Sequence, residues 1–84
     1  MSEQEVGVVT HFYNHIGVAA VKITQGDLAV GDTIHVKGHT SDFVTQVKSL
    51  QMEHHDINRA GPGASIGIQV PAHAHEHDRV YKVA

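Results

Sequence analysis

The stretch that decides the fold is LAVGDTIHVKG, which occupies residues 28–38. Its second half alternates apolar and polar side chains, a pattern typical of a half-buried strand. The pair Gly31-Asp32 suits a tight turn, in which the glycine takes a positive φ and the aspartate side chain bonds nearby backbone. The stretch therefore predicts an ordered loop that leads into a short strand.

Short segments rich in β-branched residues occur along the whole chain and are typical of strands. The predicted strands are residues 6–13, 18–24, 33–38, 43–53, 66–70 and 79–83. Residues 14–17 predict the turn of a hairpin between the first two strands, and residues 58–63 and 71–78 predict loops. In residues 43–53 the apolar positions change from odd to even numbers after Val47, which predicts a β-bulge. No segment predicts a helix.

About six strands with turns at short intervals predict an all-β fold, a small closed antiparallel β-barrel. Closure would remove the exposed edges of the sheet. The 84 residues form one predicted domain, residues 1–84, with a flexible N-terminus over residues 1–5. The chain has no cysteine, so its stability must come from a small apolar core or from a partner.

Composition and charge exclude several function classes. The formal net charge of -3 argues against a strong phosphate-binding surface. No apolar run is long enough to span a membrane, and the acidic, polar start differs from a secretory signal, so we expect a cytoplasmic protein without a membrane partner. No phosphate-binding loop motif occurs, so we expect no nucleotide site. Protonating all nine histidines would change the net charge from -3 to +6. The net charge therefore depends strongly on pH in mildly acidic solution.

The order of several landmarks resembles one protein family. The landmarks are Gly7-x-Val9, residues 28–34, Lys37-Gly38, residues 59–68 and Asp78-Arg79-Val80-Tyr81. Together they cover residues 6–83 and resemble the β-barrel second domain of translational GTPases such as elongation factor Tu and initiation factor 2. More narrowly, the chain resembles elongation-factor-like proteins that consist of this Greek-key barrel alone. Similar barrels also form C-terminal domains of some peptidase-family enzymes.

The resemblance implies a non-catalytic binding module without GTPase activity. In the full-length factors this domain docks on the aminoacyl end of tRNA or on the ribosome, so the implied partners are a tRNA acceptor end, ribosomal RNA or a translation protein. The expected contact residues are Lys48, His54, His55 and Arg59. Because His54 and His55 are adjacent on a predicted strand, we expect them to face opposite sides, with one partly buried. Histidine is a weak phosphate ligand at neutral pH, so we expect any affinity for RNA to be modest.

Three alternate histidines, His73, His75 and His77, suggest a site for zinc, nickel or copper. On a straight strand the outer two Cα atoms would lie about 13 Å apart, which is too far for one tetrahedral ion to gather all three rings. Two of the histidines, together with Glu76 or Asp78, could bind one such ion. The competing interpretation is an exposed connection without a cofactor, which binds zinc or nickel only adventitiously.

No nucleophile pattern of serine or cysteine occurs, so we expect the chain not to be an enzyme. Of the neighbouring aromatics Phe12 and Tyr13, one should be exposed, because they face opposite ways on a strand. Two alternatives to the translation-type module stay open. One is a histidine-rich metal-binding or pH-responsive protein, and the other is a protein–protein adaptor. The sequence leaves the oligomeric state undefined.

Overall fold

The computed structural model describes residues 2–84. Within this range the chain forms ten β-strands and no helix, so the prediction of an all-β fold is confirmed. The strands are β1 (Glu3–Tyr13), β2 (Val18–Ile23), β3 (Leu28–Ala29), β4 (Thr33–Lys37), β5 (Asp42–Gln46), β6 (Leu50–Met52), β7 (His55–Ile57), β8 (Arg59–Ala60), β9 (Ser65–Gln69) and β10 (Arg79–Val83). None of the described residues forms a helix that could span a membrane.

Eight strands form one antiparallel sheet in the order β5-β4-β10-β1-β2-β9-β6-β7, and β3 pairs with β8 in a separate two-stranded sheet. Strands β5 and β7 are therefore the two edges of the large sheet, and they do not pair with each other. The prediction of a closed barrel is wrong, because the sheet stays open between these edges.

The turn after β3 is hydrogen-bonded to residues that directly follow both edge strands. Val47, directly after β5, donates its N–H to the carbonyl of Asp32 and accepts a hydrogen bond from the N–H of Gly31, both at 2.8 Å. On the other side, Val30 donates its N–H to the carbonyl of Asn58, directly after β7, at 3.0 Å. Asp32 and Val47 thus extend the pairing of β4 with β5, and the same turn also contacts the chain that follows β7.

The single strand predicted over residues 43–53 is two strands in the structure. β5 ends at Gln46 and β6 begins at Leu50. β5 pairs with β4 at one edge of the sheet, whereas β6 pairs with β9 and β7 near the other edge. The change in apolar phase is real, since Val47 and Leu50 are both buried. The phase changes because the chain passes from one edge of the sheet to the other between β5 and β6, and not because of a β-bulge.

The first hairpin follows the prediction. β1 and β2 pair antiparallel around a turn in which Gly17 has a φ of 66°. The N-terminal residues differ from the prediction, since Glu3–Glu5 belong to β1 and pair with Tyr81–Val83 of β10. Residues 3–5 are therefore held in the sheet instead of forming a flexible terminus. Met1 lies outside the described residues.

Alternate side chains of the strands form one apolar core. In β2 and β9, buried positions alternate with more exposed ones, as a sheet with one buried face requires. Phe12 and Phe43 pack against the edge of this core. The core side chains with no exposed surface are Ile23, Leu28, Ile34, Leu50, Ile68, Ala74 and Val80. Burial of this apolar surface is the main force that stabilises the fold.

The tight turn predicted at Gly31-Asp32 is confirmed. Gly31 has a φ of 100°, and the Asp32 carboxylate accepts a hydrogen bond from the N–H of Ala29 at 2.9 Å. Lys82 Nζ on β10 lies 3.1 Å from carboxylate oxygens of both Asp27 and Asp32. These hydrogen bonds, first to Asp27 and then to Asp32, raise the pKa of Lys82, and Lys82 lowers the pKa of Asp27. The two aspartates thus fasten the loop before β4 to β10.

Two landmarks that are separate in the sequence, Lys37-Gly38 and Asp78-Arg79, meet in the structure. Arg79 pairs with Lys37 between β10 and β4. The Asp78 carboxylate is buried against Gly38, and a Cβ atom on Gly38 would overlap Asp78 Oδ1. Its other oxygen accepts a hydrogen bond from the N–H of His75 at 2.8 Å. Position 38 therefore needs glycine because a buried carboxylate occupies the space of a side chain.

His35 on β4 connects strands on both sides of it. Its Nδ1 lies 2.9 Å from a carboxylate oxygen of Glu3 on β1, and its Nε2 contacts the Asp42 carboxylate on β5. Hydrogen bonds to Asp42 and to Glu3 raise the pKa of His35, and the bond from His35 lowers the pKa of Asp42. Only the protonated imidazole donates from both nitrogens. The hydrogen bonds to Glu3 and to Asp42 therefore form together only when His35 is protonated.

We expect Gly38→Ala to lower the free energy of unfolding by about 1–3 kcal/mol, as overpacking of a filled site does. The added methyl group would overlap the buried Asp78 carboxylate. Gly61→Ala is the matched control, because a Cβ at Gly61 would meet nothing within 4 Å. Urea unfolding measures both variants. Equal stability of the two would contradict the role assigned to Gly38.

We expect the stabilisation by His35 to be greatest in mild acid. A raised pKa in the folded state gives stabilisation that is complete below the unfolded-state pKa, near the ordinary value of 6.5, and that is lost as the pH rises through the folded-state pKa. The stability difference between the wild-type protein and His35→Gln should therefore shrink between about pH 5.5 and about pH 8.5. His15→Gln, at an exposed turn position, is the control. A difference that grew with pH would disprove this assignment.

Candidate functional site

A surface trough runs along the outward face of β9. Ile66 and Ile68 of this strand are buried, so Ser65, Gly67 and Gln69 face outward. All three outward residues line depressions of the surface. At about 3.3 Å per strand residue, they span about 13 Å. The neighbouring depressions along these three residues are together called the β9 trough below.

Small side chains form the floor of the β9 trough. Ala20 of β2 lies directly opposite Gly67 of β9. A Cβ atom on Gly67 would come within 3.3 Å of Cγ1 of Val18, a separation that would force one of the two to shift. Gly67 therefore marks a close approach between β9 and the Val18 side chain of β2, as a glycine inside a strand often does. A glycine opposite an alanine leaves a hollow between larger neighbours.

One end of the trough, called the apolar end below, is a hollow of about 360 Å³. Tyr13 and Ile16 on its wall are 49% and 64% exposed. Tyr13 is thus the exposed aromatic of the predicted pair, whereas Phe12 packs against the core. Large apolar side chains around a concave surface are typical of binding sites. The lining residues are Tyr13, Ile16, Val18, Ala20, Gln51, Glu53, His54, Ser65, Ile66 and Gly67.

The apolar end continues into two smaller depressions. The first, of about 260 Å³, shares four of its six lining residues with the apolar end. Gln69 also lines the second depression, of about 280 Å³, which Lys48 lines as well. Lys48 is the one charged residue among those that line this second depression. The trough therefore has an apolar end and a basic end.

A strained turn forms part of the rim of the apolar end. Met52 pairs with His55, which leaves Glu53 and His54 as a two-residue hairpin loop. Their φ angles are 52° and 67°, as a type I′ turn requires. Asn-Gly is the preferred pair for this turn, and other residues adopt it only at an energetic cost. Because such strain clusters at binding sites, it supports the assignment of this rim to a functional surface.

The structure brings two of the four predicted contact residues to the trough. His54 lines the apolar end and Lys48 lines the basic end. His55 lies on β7, and Arg59 Nε lies 3.3 Å from a carboxylate oxygen of Asp27. His54 and His55 are both exposed, because they lie in and after a turn instead of on one continuous strand. The prediction that one of them is partly buried is therefore wrong.

The three histidines predicted as metal ligands are not arranged as one ligand set. The rings of His73 and His75 stack with centroids 4.4 Å apart, and His73 also packs on Phe12 at 4.5 Å. A turn closed by the hydrogen bond from Asp78 N–H to the carbonyl of His75 takes His77 out of line with them. Within residues 2–84, no three His, Asp or Glu side chains are placed to hold a metal ion.

Ser41, His75 and Asp78 lie together but not as a catalytic triad. Ser41 Oγ is 2.8 Å from His75 Nδ1, and Asp78 Oδ2 is 3.9 Å from the same nitrogen. A triad needs the serine and the aspartate on opposite ring nitrogens. Ser41 is also buried, which closes it to a substrate. The contacts instead fasten the loop before β10 to the turn between β4 and β5.

Half of the basic side chains are paired with acids. The ion pairs are Lys82 with Asp27 and Asp32, Arg59 with Asp27, and Arg79 with Glu5. In the part of the chain that the structure describes, Lys22, Lys37 and Lys48 take part in no such pair. They lie on three different segments of the chain, whereas phosphate-binding surfaces usually cluster their basic side chains.

The family is clear from comparison with known proteins. The model of the family described as elongation factor Tu domain 2 matches residues 17–80, so the chain belongs to this family. Among curated proteins, it is 38% identical to an uncharacterized protease of Methanocaldococcus jannaschii and 30% identical to a collagenase of Porphyromonas gingivalis, each over 78 residues. Both matches cover 92% of this chain but only 19% and 22% of those proteins. The chain thus spans about a fifth of the length of these relatives.

Solved structures show the same fold. The C-terminal domain of a Geobacillus thermoleovorans protein named as a U32 peptidase matches with a TM-score of 0.87 and 17% identity, over 94% of this chain and 91% of that chain. GDP-bound aIF5B from Aeropyrum pernix matches with a TM-score of 0.81 and 24% identity, over 98% of this chain and 17% of that chain. The predicted resemblance to the second domain of translational GTPases is confirmed.

We expect the combined change Glu53→Asn and His54→Gly to raise the free energy of unfolding by about 1 kcal/mol, because it relieves two strained backbone positions. His55→Gly, one residue beyond the positive φ angles, should instead lower it, since glycine weakens a strand. Urea unfolding measures both. If the double change were destabilising, the strain assigned to this turn would be absent.

Proposed function

We propose that the domain is a non-catalytic docking module that binds a partner protein through the β9 trough. The observation that carries this proposal is the apolar end, where Tyr13 and Ile16 stand exposed beside a floor of small residues. Polar side chains of Gln51, Glu53 and His54 surround it. An apolar hollow with a polar rim is the surface that protein segments bind most readily.

RNA docking has weaker support than protein docking. Phosphate contacts supply much of the affinity of proteins for RNA and require basic side chains. Within residues 2–84, no lysine or arginine lines the apolar end, and Arg59 is paired with Asp27. Lys48 at the basic end is the remaining candidate for a phosphate contact. We therefore favour a protein over tRNA or ribosomal RNA as the partner.

Two observations support a role without catalysis. Ser41, His75 and Asp78 lack the geometry of a nucleophilic relay. The similar solved domain is the C-terminal domain of a protein named as a U32 peptidase, and the curated relatives named as protease and collagenase are several times longer than this chain. We infer that the domain holds a protein beside a separate catalytic unit. The metal-binding alternative has less support, because no three candidate ligands meet among residues 2–84.

We expect Ile16→Ser to reduce capture of partner proteins from cell extract about tenfold, because it removes a large apolar side chain from the binding surface. Val44→Ser is the matched control, since Val44 is 58% exposed and lines none of the three depressions of the trough. The immobilised domain is incubated with extract at low salt, and the eluted protein and RNA are measured together.

The same experiment contains the outcomes that would contradict the proposal. RNA that is captured equally by both variants and released at about 0.5 M salt would indicate docking through phosphates instead. Proteins captured equally by both variants would show that the trough is not the docking surface.

A further inference from the structure

We propose that the first residues of β1 form a strap that is closed on the sheet in mild acid and opens locally as the pH rises. The strap is residues 3–5. The side chain that holds it closed is His35, which joins Glu3 of the strap to Asp42 on the edge strand β5. None of these residues lines the β9 trough, so the strap is independent of the proposed docking surface.

The strap is attached to fewer neighbours than the rest of β1. The register of β1 with β10 shifts between Glu5 and Gly7, which leaves Val6 as an extra residue. Pairing of β1 with β2 begins only at Gly7, so the strap pairs with β10 alone. Val6 is buried in the core and fixes the chain at this point. Opening of the strap can therefore stop at Val6 and leave the rest of β1 in place.

Side-chain contacts hold the strap at both ends. Next to the register shift, the Glu5 carboxylate accepts a hydrogen bond from Arg79 at 2.9 Å, and the Glu5 carbonyl accepts one from Gln25 at 2.8 Å. At the far end, His35 Nδ1 lies 2.9 Å from a carboxylate oxygen of Glu3. Within residues 2–84, His35 is the one side chain that bonds to the Glu3 carboxylate. The far end of the strap therefore depends on His35.

The contact between His35 and Glu3 needs a protonated imidazole. A neutral imidazole has one N–H group, so it can donate to Asp42 or to Glu3 but not to both. Asp42 raises the pKa of His35 more than Glu3 does, so the N–H that remains is the one on Nε2, which faces Asp42. The lone pair of Nδ1 then faces the Glu3 carboxylate. Deprotonation thus replaces a hydrogen bond by repulsion between two acceptors.

The other ionisable side chains around His35 do not take over this contact. The Tyr81 ring on β10 lies 6.3 Å from the His35 ring, and Lys37 on β4 acts on Asp42. Hydrogen bonds to Asp42 and to Glu3 raise the pKa of His35 above its ordinary value of 6.5. The attraction is therefore complete below that value and is lost as the pH rises through the folded-state pKa. This direction makes the strap closed in mild acid and open in mild base.

The test is hydrogen exchange of single backbone amides, measured by NMR on the whole domain. The N–H of Ala84 bonds to the carbonyl of Ser2 at 2.9 Å, and the alternation of an antiparallel pair places the next two bonds between Gln4 and Lys82. Protection is the exchange rate of an unstructured chain divided by the measured rate at the same pH. We expect the protection of these amides to fall about fivefold between about pH 6 and about pH 8.5, the effect of one partly exposed charged pair.

Two variants and one control test whether His35 and Glu3 cause this change. In His35→Gln no group titrates at this position, and in Glu3→Gln the imidazole faces a neutral amide that can donate or accept. The protection of the strap amides should therefore not change with pH in either variant. His15→Gln, at an exposed turn position, should keep the change seen in the wild-type protein.

Core amides separate local opening from unfolding of the whole domain. The N–H of Ile23 bonds to the carbonyl of Ala64 at 2.9 Å, and that of Val9, beyond the register shift on β1, bonds to Asp78 at 2.8 Å. A fall in protection that is confined to the strap amides and absent from both variants supports the proposal. An equal fall at Ile23 and Val9 would show that His35 acts on the whole fold and would overturn the strap. Strap protection that is constant in the wild-type protein, or that falls equally in Glu3→Gln, would overturn it as well.

Discussion

The structure depends on the hydrogen bonds that the turn at residues 30–32 makes with both edges of the open sheet. Val47 beside one edge and Asn58 beside the other are bonded to this turn, so the chain after β5 and the chain after β7 are both tied to the segment that precedes β4. Buried backbone groups need hydrogen-bond partners. The turn supplies such partners to the buried Val47, although the strands do not form a closed barrel.

Polar contacts then fasten each loop to a strand that is distant in sequence. Asp27 and Asp32 bond Lys82 of the last strand, and the buried Asp78 carboxylate fits against Gly38. Three of these residues, Asp32, Gly38 and Asp78, belong to the family landmarks. Their role is to hold loops in place, which explains why they identify the fold without identifying the function.

The scaffold leaves the outward face of β9 available for binding. Inward residues of this strand build the core, whereas its outward residues are small or polar and form the floor of the trough. The alternation of the strand thus separates the residues that build the core from the residues of the surface that we propose for binding.

Local patterns in the sequence were sufficient for most of the strands. The alternation of residues 33–38, the turn at Gly31-Asp32 and the last strand over residues 79–83 follow from side-chain period and turn chemistry, which act between near neighbours. The very short strands β3, β7 and β8 were not predicted, because a segment of two or three residues is too short to show an alternation of apolar and polar side chains. The apolar end of the trough was predicted only in part, because His54 was an expected contact residue whereas Ile16, an apolar residue within a predicted turn, was missed.

The sequence by itself determined an all-β domain of the elongation factor Tu domain 2 type. The alternation of apolar and polar side chains, the glycine turns and the order of the landmarks are all properties of the sequence. Only the tertiary structure decided that the sheet stays open, that residues 43–53 cross between its edges, and that Lys48 and His54 lie at opposite ends of one trough. These features depend on hydrogen bonds and packing between residues far apart in the chain. Such contacts cannot be inferred from local sequence patterns, which act between near neighbours in the chain.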